Sequence, residues 1–168
     1  MRSLSLFSVL LVLLLTGCTK DELQTVQLTG NYINTPDLTA GFYIVTLPDD
    51  TKVQVPKKYF VSGEDKVLGA IDAARSILEV KNVTYKTFAF QFELTFDVTL
   101  YNAKGEFINW TGTAVSYPDN TGNSWQYVKG GSDKFKGVSG WSNTTLATNP
   151  VNGVHTLAVI QGEVVYVK

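Results

Sequence analysis

Few residues in this 168-residue sequence have side chains suited to proton transfer, nucleophilic attack or metal ligation. His155 is its only histidine and Cys18 its only cysteine. Glu93 and Asp97 share one face of an alternating stretch, but four residues along an extended chain places them about 13 Å apart. That is too far for the paired carboxylates of acid/base chemistry, so a partner would have to come from another strand. His155 stands at the start of the last apolar-alternating segment, where a solvated strand end is the expected environment. One histidine and one cysteine do not make a nitrogen or thiolate metal site, and the oxygen-rich pairs Asp49-Asp50 and Asp119-Asn120 are only weak calcium candidates. No glycine loop carries the lysine and serine of a phosphate cradle. No catalytic residue, metal site or cofactor is therefore assigned. Fourteen basic residues against fifteen acidic ones, with no basic stripe beyond Lys57-Lys58, argue against nucleic acid as a partner.

The element that positions Glu93 and Asp97 is the clearest in the chain. From Phe88 to Tyr101, every second residue is apolar: Phe88, Phe90, Phe92, Leu94, Phe96, Val98 and Leu100. The intervening residues are Ala89, Gln91, Glu93, Thr95, Asp97, Thr99 and Tyr101. Period-two alternation is a strand with one buried face, and a run this long fixes its pairing register. Fully extended it would reach about 45 Å, longer than an ordinary strand, so it must bend around a closed or strongly twisted sheet. Its phenylalanine row (Phe88, Phe90, Phe92, Phe96) is the candidate lining of an interior lumen.

The rest of the chain reads as strand after strand. Thr25 to Asn34 alternates weakly, with Val26, Leu28 and Tyr32 on one face, until Thr35-Pro36-Asp37 breaks it. Phe42 to Leu47 and Lys52 to Val55 flank Pro48-Asp49-Asp50-Thr51, a hairpin turn. Tyr59 to Ser62 forms another strand. Val67, Ile71, Ala74 and Leu78 fall at helical spacing with Asp65 near the start, while Gly69 and the β-branched, aromatic run Ser76 to Tyr85 suit strands, so the pattern alone leaves helix and strand equally open. Phe107 to Tyr117 follows the long strand through Asn102-Ala103-Lys104-Gly105. Ser124 to Val128, Val138 to Leu146 and Val154 to Val167 complete about eight to eleven strands. Trp110, Trp125 and Trp141, with Tyr117 and Tyr127, fit core or rim packing, or an exposed platform for sugar rings.

The amino terminus has a different character. Arg2, the apolar run Leu4 to Leu15 and then Leu15-Thr16-Gly17-Cys18 resemble a bacterial lipoprotein signal peptide with its lipobox. The implied organisation is a signal peptide over 1–17, an acylated Cys18 with a tether over 18–24, and a domain over 25–168. Cys18 would carry a thioether-linked diacylglycerol and a third acyl chain, enough to anchor the protein to a membrane without a transmembrane helix. Thr19-Lys20-Asp21-Glu22 resembles the charged segment beside the cysteine of surface-exposed lipoproteins, which points to the outer membrane. The remaining length, about 150 residues, suits one domain with a sizeable core and no disulfide.

The most specific string is Gly130-Gly131-Ser132-Asp133-Lys134-Phe135-Lys136-Gly137-Val138-Ser139-Gly140. Paired glycines permit a sharp turn, Ser132 or Asp133 caps one helical turn, Phe135 pins it to the core, and Gly137 and Gly140 let the next strand start close to its neighbours. It resembles the glycine-rich signature of the dirigent proteins, allene oxide cyclases and their bacterial relatives, departing at Asp133, where the family usually has glycine; the aspartate must then adopt a left-handed conformation. Val61-Ser62-Gly63, Leu68-Gly69-Ala70-Ile71-Asp72 with Ser76, and Gln161-Gly162-Glu163-Val164-Val165-Tyr166 extend the resemblance over residues 60–168. It implies an all-β fold, an antiparallel closed barrel of about eight strands, calycin-like, with strand, turn and strand over 64–79. Homo-oligomers are known among such barrels. The family's catalytic residues have no recognisable counterparts here.

Three functions fit these observations. The first expectation is a non-catalytic interaction or structural module of the envelope, docking an envelope protein, with its lumen filled by Phe88, Phe90, Phe92 and their neighbours. The second is a carrier of a small hydrophobic ligand in an open lumen. The third, ranked behind both, is an isomerase or cyclase, which needs a carboxylate such as Glu93 inside the barrel.

Overall fold

A computed structural model describes residues 22–167. The signal peptide and Cys18, the expected site of acylation, lie outside the described residues.

Twelve strands follow one another: β1 (Leu23–Gln27), β2 (Gly30–Pro36), β3 (Phe42–Thr46), β4 (Lys52–Pro56), β5 (Lys58–Asp65), β6 (Gly69–Ala70), β7 (Ile77–Lys86), β8 (Gln91–Tyr101), β9 (Phe107–Ser116), β10 (Thr121–Gly131), β11 (Ser139–Thr148) and β12 (His155–Val167). Pairing runs β2-β5-β7-β8-β9-β10-β11-β12, and β12 pairs back onto β2, which closes an antiparallel barrel of eight strands. β1 continues along the far half of β12, Leu23 opposite Val167 and Gln27 opposite Glu163. The weakly alternating segment expected as one strand over 25–34 is thus two, because Leu28 leaves the ladder and donates its N–H to the Gly162 carbonyl at 2.9 Å. Segment 64–79 is strand, turn and strand, as expected. Asp65 does cap its turn, but by accepting from the Val67 and Leu68 N–H groups, each at 2.7 Å, rather than by starting a helix.

β8 is the stave that the alternation described, with Phe92, Leu94, Phe96, Val98 and Leu100 facing inward. Phe88 and Phe90 do not belong to it. They occupy the β7–β8 turn, where Ala89 N–H bonds the Lys86 carbonyl and Phe90 has φ 51°, and both rings are exposed. A left-handed residue ends the ladder whatever the side-chain pattern does beyond it. On β9, Gly112 faces Phe96, and a Cβ there would lie 2.9 Å from the end of that ring, so the missing side chain leaves room for it.

One end of the barrel is plugged. In the 130–140 string, a single 3-10 turn (Asp133–Phe135) carries Phe135 fully into the core, edge-on to Tyr166 at 5.2 Å between ring centroids. Ser132 does not cap that turn; its hydroxyl accepts from the Phe107 N–H at 2.9 Å. Asp133 has φ 40°, the left-handed backbone that its departure from glycine demanded. Leu28, Leu68, Ile71 and Val138 complete the plug. Above it, Val98, Leu100, Ile108, Trp110 and Val164 fill the lower lumen.

The β3–β4 hairpin forms its own two-stranded sheet, hydrogen-bonded to no barrel strand as a ladder. It leaves the barrel between β2 and β5, at the end opposite the plug, and bends over that opening.

Candidate functional site

The upper half of the barrel encloses a cavity of about 260 Å³. One wall is β8 and β9, with Phe92, Leu94, Phe96, Val98 and Ala114. The opposite wall, from β10 through β12 to β2, brings Ser124, Gln126, Thr148, His155 and Asn34. Tyr32 lies toward the floor, and Val53 to Pro56 of the hairpin cover one side of the mouth. Phe92, Ser116, Thr148 and His155 are each partly exposed, marking the open end, whereas Phe96, Val98 and Leu100 deeper in are buried. An interior filled by the phenylalanine row is therefore not what the fold contains: Phe92 and Phe96 line a space, and Phe88 and Phe90 stand outside it.

The polar wall has two parts. Ser124 and Thr144 hydroxyls meet at 2.6 Å, and Gln126 donates to Ser142 at 2.8 Å, so these buried groups are satisfied by one another across β10 and β11. Asn34 and His155 sit opposite each other in the β2–β12 register and make no side-chain hydrogen bond among the described residues. The His155 ring packs on Tyr59 at 4.9 Å, and burial lowers its pKa to about 4, so the imidazole is neutral at neutral pH. The expected solvated strand end is instead part of the lumen wall: inward alternation of β12 starts at His155 and continues through Leu157. At the floor, Tyr32 donates to Asp65, whose carboxyl is pushed up by burial against the opposing N–H donors of Leu68 and Val67.

Glu93 and Asp97 point outward. Glu93 pairs with Lys86 at 3.4 Å, and Asp97 lies between Lys129 at 3.4 Å and Lys81 at 3.9 Å. Neither supplies the lumenal acid that a cyclase would need. Asp49 and Asp119 each cap their own turn, accepting from the Thr51 and Thr121 N–H groups at 3.0 Å. Trp110 is core, while Trp125 and Trp141 stack on the outer face at 5.9 Å with Tyr127 exposed beside them.

Asn34, Ser124 and Gln126 escaped the sequence reading as site residues. Asn34 stands two residues beyond Tyr32, so the strand period did put it on the buried face. A polar residue at such a position is the signal that was available.

No family model matches the chain, and no curated protein matches it. The solved structures to which it is similar include two dirigent proteins. The pterocarpan synthase dirigent protein GePTS1 is 13% identical with a TM-score of 0.49, over 92% of this chain and 96% of that one. The pterocarpan synthase dirigent protein PsPTS1 is 11% identical with a TM-score of 0.44, over 89% and 98%. The barrel closure itself is read from this chain's own strand pairing.

Proposed function

We propose that this protein is a lipid-anchored envelope protein whose barrel binds a small, largely apolar molecule in its lumen. The observation that carries this reading is the cavity of about 260 Å³ between an apolar wall and a short polar strip, open at one end. Concave, mostly apolar sites with a few placed polar groups are the usual form of small-molecule sites. Filling such a space with side chains would stabilise the barrel, so an interior left open in a fold otherwise plugged by Phe135 and Trp110 favours a carrier over a purely structural module.

Chain direction sets how such an anchor would orient the barrel. β12 runs from His155 at the mouth to Val167 at the plugged end, where Leu23 pairs with it. A tether from Cys18 would enter the barrel at the plugged end, leaving the mouth turned away from the membrane and accessible to ligand.

Two experiments test this. Naphthalene, titrated calorimetrically, should bind the protein, and Ala114→Phe, which places a ring in the lumen, should abolish binding with the fold retained by circular dichroism. Binding that survives the substitution would move the ligand site elsewhere. Cys18→Ser should release the protein from the membrane fraction, and retention there would remove the anchor.

A further inference from the structure

We infer that the molecule held in the lumen is uncharged, about ten to twelve heavy atoms in size, and carries a hydroxyl or similar group that hydrogen-bonds Asn34 and His155. This rests on the lumen being the binding site.

Size follows from volume. A cavity of about 150 Å³ lined by aliphatic side chains accommodates benzene, so about 260 Å³ takes a molecule somewhat under twice as large. Charge follows from the lining. Among the described residues that face the cavity there is no lysine, arginine, aspartate or glutamate. An ion brought here would lose its hydration with no opposite charge to replace it. The one titratable base in the wall, His155, is itself held neutral by the same surroundings.

The polar group follows from which wall atoms remain open. The Ser124 hydroxyl and the Gln126 amide nitrogen are engaged with Thr144 and Ser142, and the Tyr32 hydroxyl with Asp65; Gln54, Ser116 and Thr148 stand toward the open mouth, and the Tyr59 hydroxyl, on the buried ring packed against His155, is a further group with no side-chain hydrogen bond among the described residues. Asn34 is only 3% exposed, yet its amide bonds no described residue, and His155 opposite it, partly exposed toward the mouth, likewise makes no side-chain hydrogen bond among the described residues. A neutral imidazole offers one donor and one acceptor, and an amide offers both as well. Together they match a hydroxyl, which donates to one and accepts from the other. Across the lumen, Phe92, Leu94 and Phe96 would cover the rest of the molecule with apolar surface.

The test uses three probes built on one ring system on the full-length protein: naphthalene, 1-naphthol and the slightly larger, charged 1-naphthoate, each titrated calorimetrically at pH 7. The expected order is 1-naphthol tightest, naphthalene roughly tenfold weaker for want of a hydrogen bond, and the carboxylate weaker still. In Asn34→Leu combined with His155→Phe, the advantage of 1-naphthol over naphthalene should vanish while naphthalene still binds, which also shows the barrel intact. His155→Gln, which keeps a hydrogen-bonding side chain, should retain most of that advantage. Equal or tighter binding of 1-naphthoate would overturn the inference, as would a naphthol preference that survives the double substitution. Failure of all three probes to bind would instead remove the lumen as the binding site.

Discussion

The hydroxyl of Tyr32 donates to Oδ2 of Asp65 across 3.0 Å at the floor of the lumen, joining residues on adjacent strands β2 and β5. Both are buried, and the carboxyl accepts two backbone N–H groups as well. Burial nevertheless raises the Asp65 pKa above 3.8. A carboxyl raised in the folded state contributes stability that is full below 3.8 and is lost as pH rises through the folded value. Asp65→Asn, which can keep the acceptor and donate to Tyr32, should therefore gain on the wild type as pH rises from 3 to 7. Tyr32→Phe should cost about 1–3 kcal/mol at pH 7, because the ionised acceptor loses a donor, and less at pH 3. Urea midpoints at the two pH values measure both.

His155 has the opposite sign. Its pKa is lowered by burial from 6.5 to about 4, with Tyr59 against the ring and no charged side chain in the described cavity lining. Stability is full above 6.5 and declines as pH falls toward about 4, since only the unfolded chain gains the proton in that window. His155→Phe should flatten this acid limb of the thermal midpoint profile. An unchanged slope would show that the imidazole is solvated.

The β3–β4 hairpin is tied to β7 by Tyr43, whose hydroxyl donates to the Lys81 carbonyl at 3.0 Å and the Val80 carbonyl at 3.2 Å. Those carbonyls are near a β-bulge, where the β7–β8 register shifts between Val80 and Asn82. Tyr43→Phe should speed amide exchange in Phe42–Thr46 and Lys52–Pro56 about tenfold while β8 to β12 exchange as before. Uniform acceleration across the barrel would mean that the hairpin and barrel open as one unit.

The plug should be the costliest place to disturb. Phe135 is fully buried, and Phe135→Ala should lose about 3–5 kcal/mol in urea unfolding. Gly140→Ala should lose about 2–3 kcal/mol, because a Cβ there would run into the Glu163 carbonyl oxygen and φ is 157°. Asp133→Gly, relieving φ 40°, should gain up to about 1 kcal/mol. A loss on that substitution would show that the aspartate side chain holds the turn.

Much of the barrel was legible because strand alternation is a local property. The inward row from Phe92 to Leu100, the hairpin around Asp49-Asp50 and the Phe135 turn each follow from residues adjacent in sequence. The same logic overran at Phe88 and Phe90: alternation continues into the turn, and no side-chain pattern marks where the hydrogen-bond ladder stops. His155 was misread for a related reason. Its inward direction is set by register against Asn34, 121 positions earlier, and not by its neighbours.

Composition and periodicity, then, were enough to dictate a β-rich chain, the buried face of its longest stave and the outward placing of Glu93 and Asp97, since side-chain direction along a strand has period two. Which strands close the ring, which end is plugged, and that Asn34 and His155 meet across a space left open depend on pairings between distant segments and on how the inward side chains add up in volume. Those are properties of the packed barrel as a whole, and they are what turn the phenylalanine row from a core into one wall of a site.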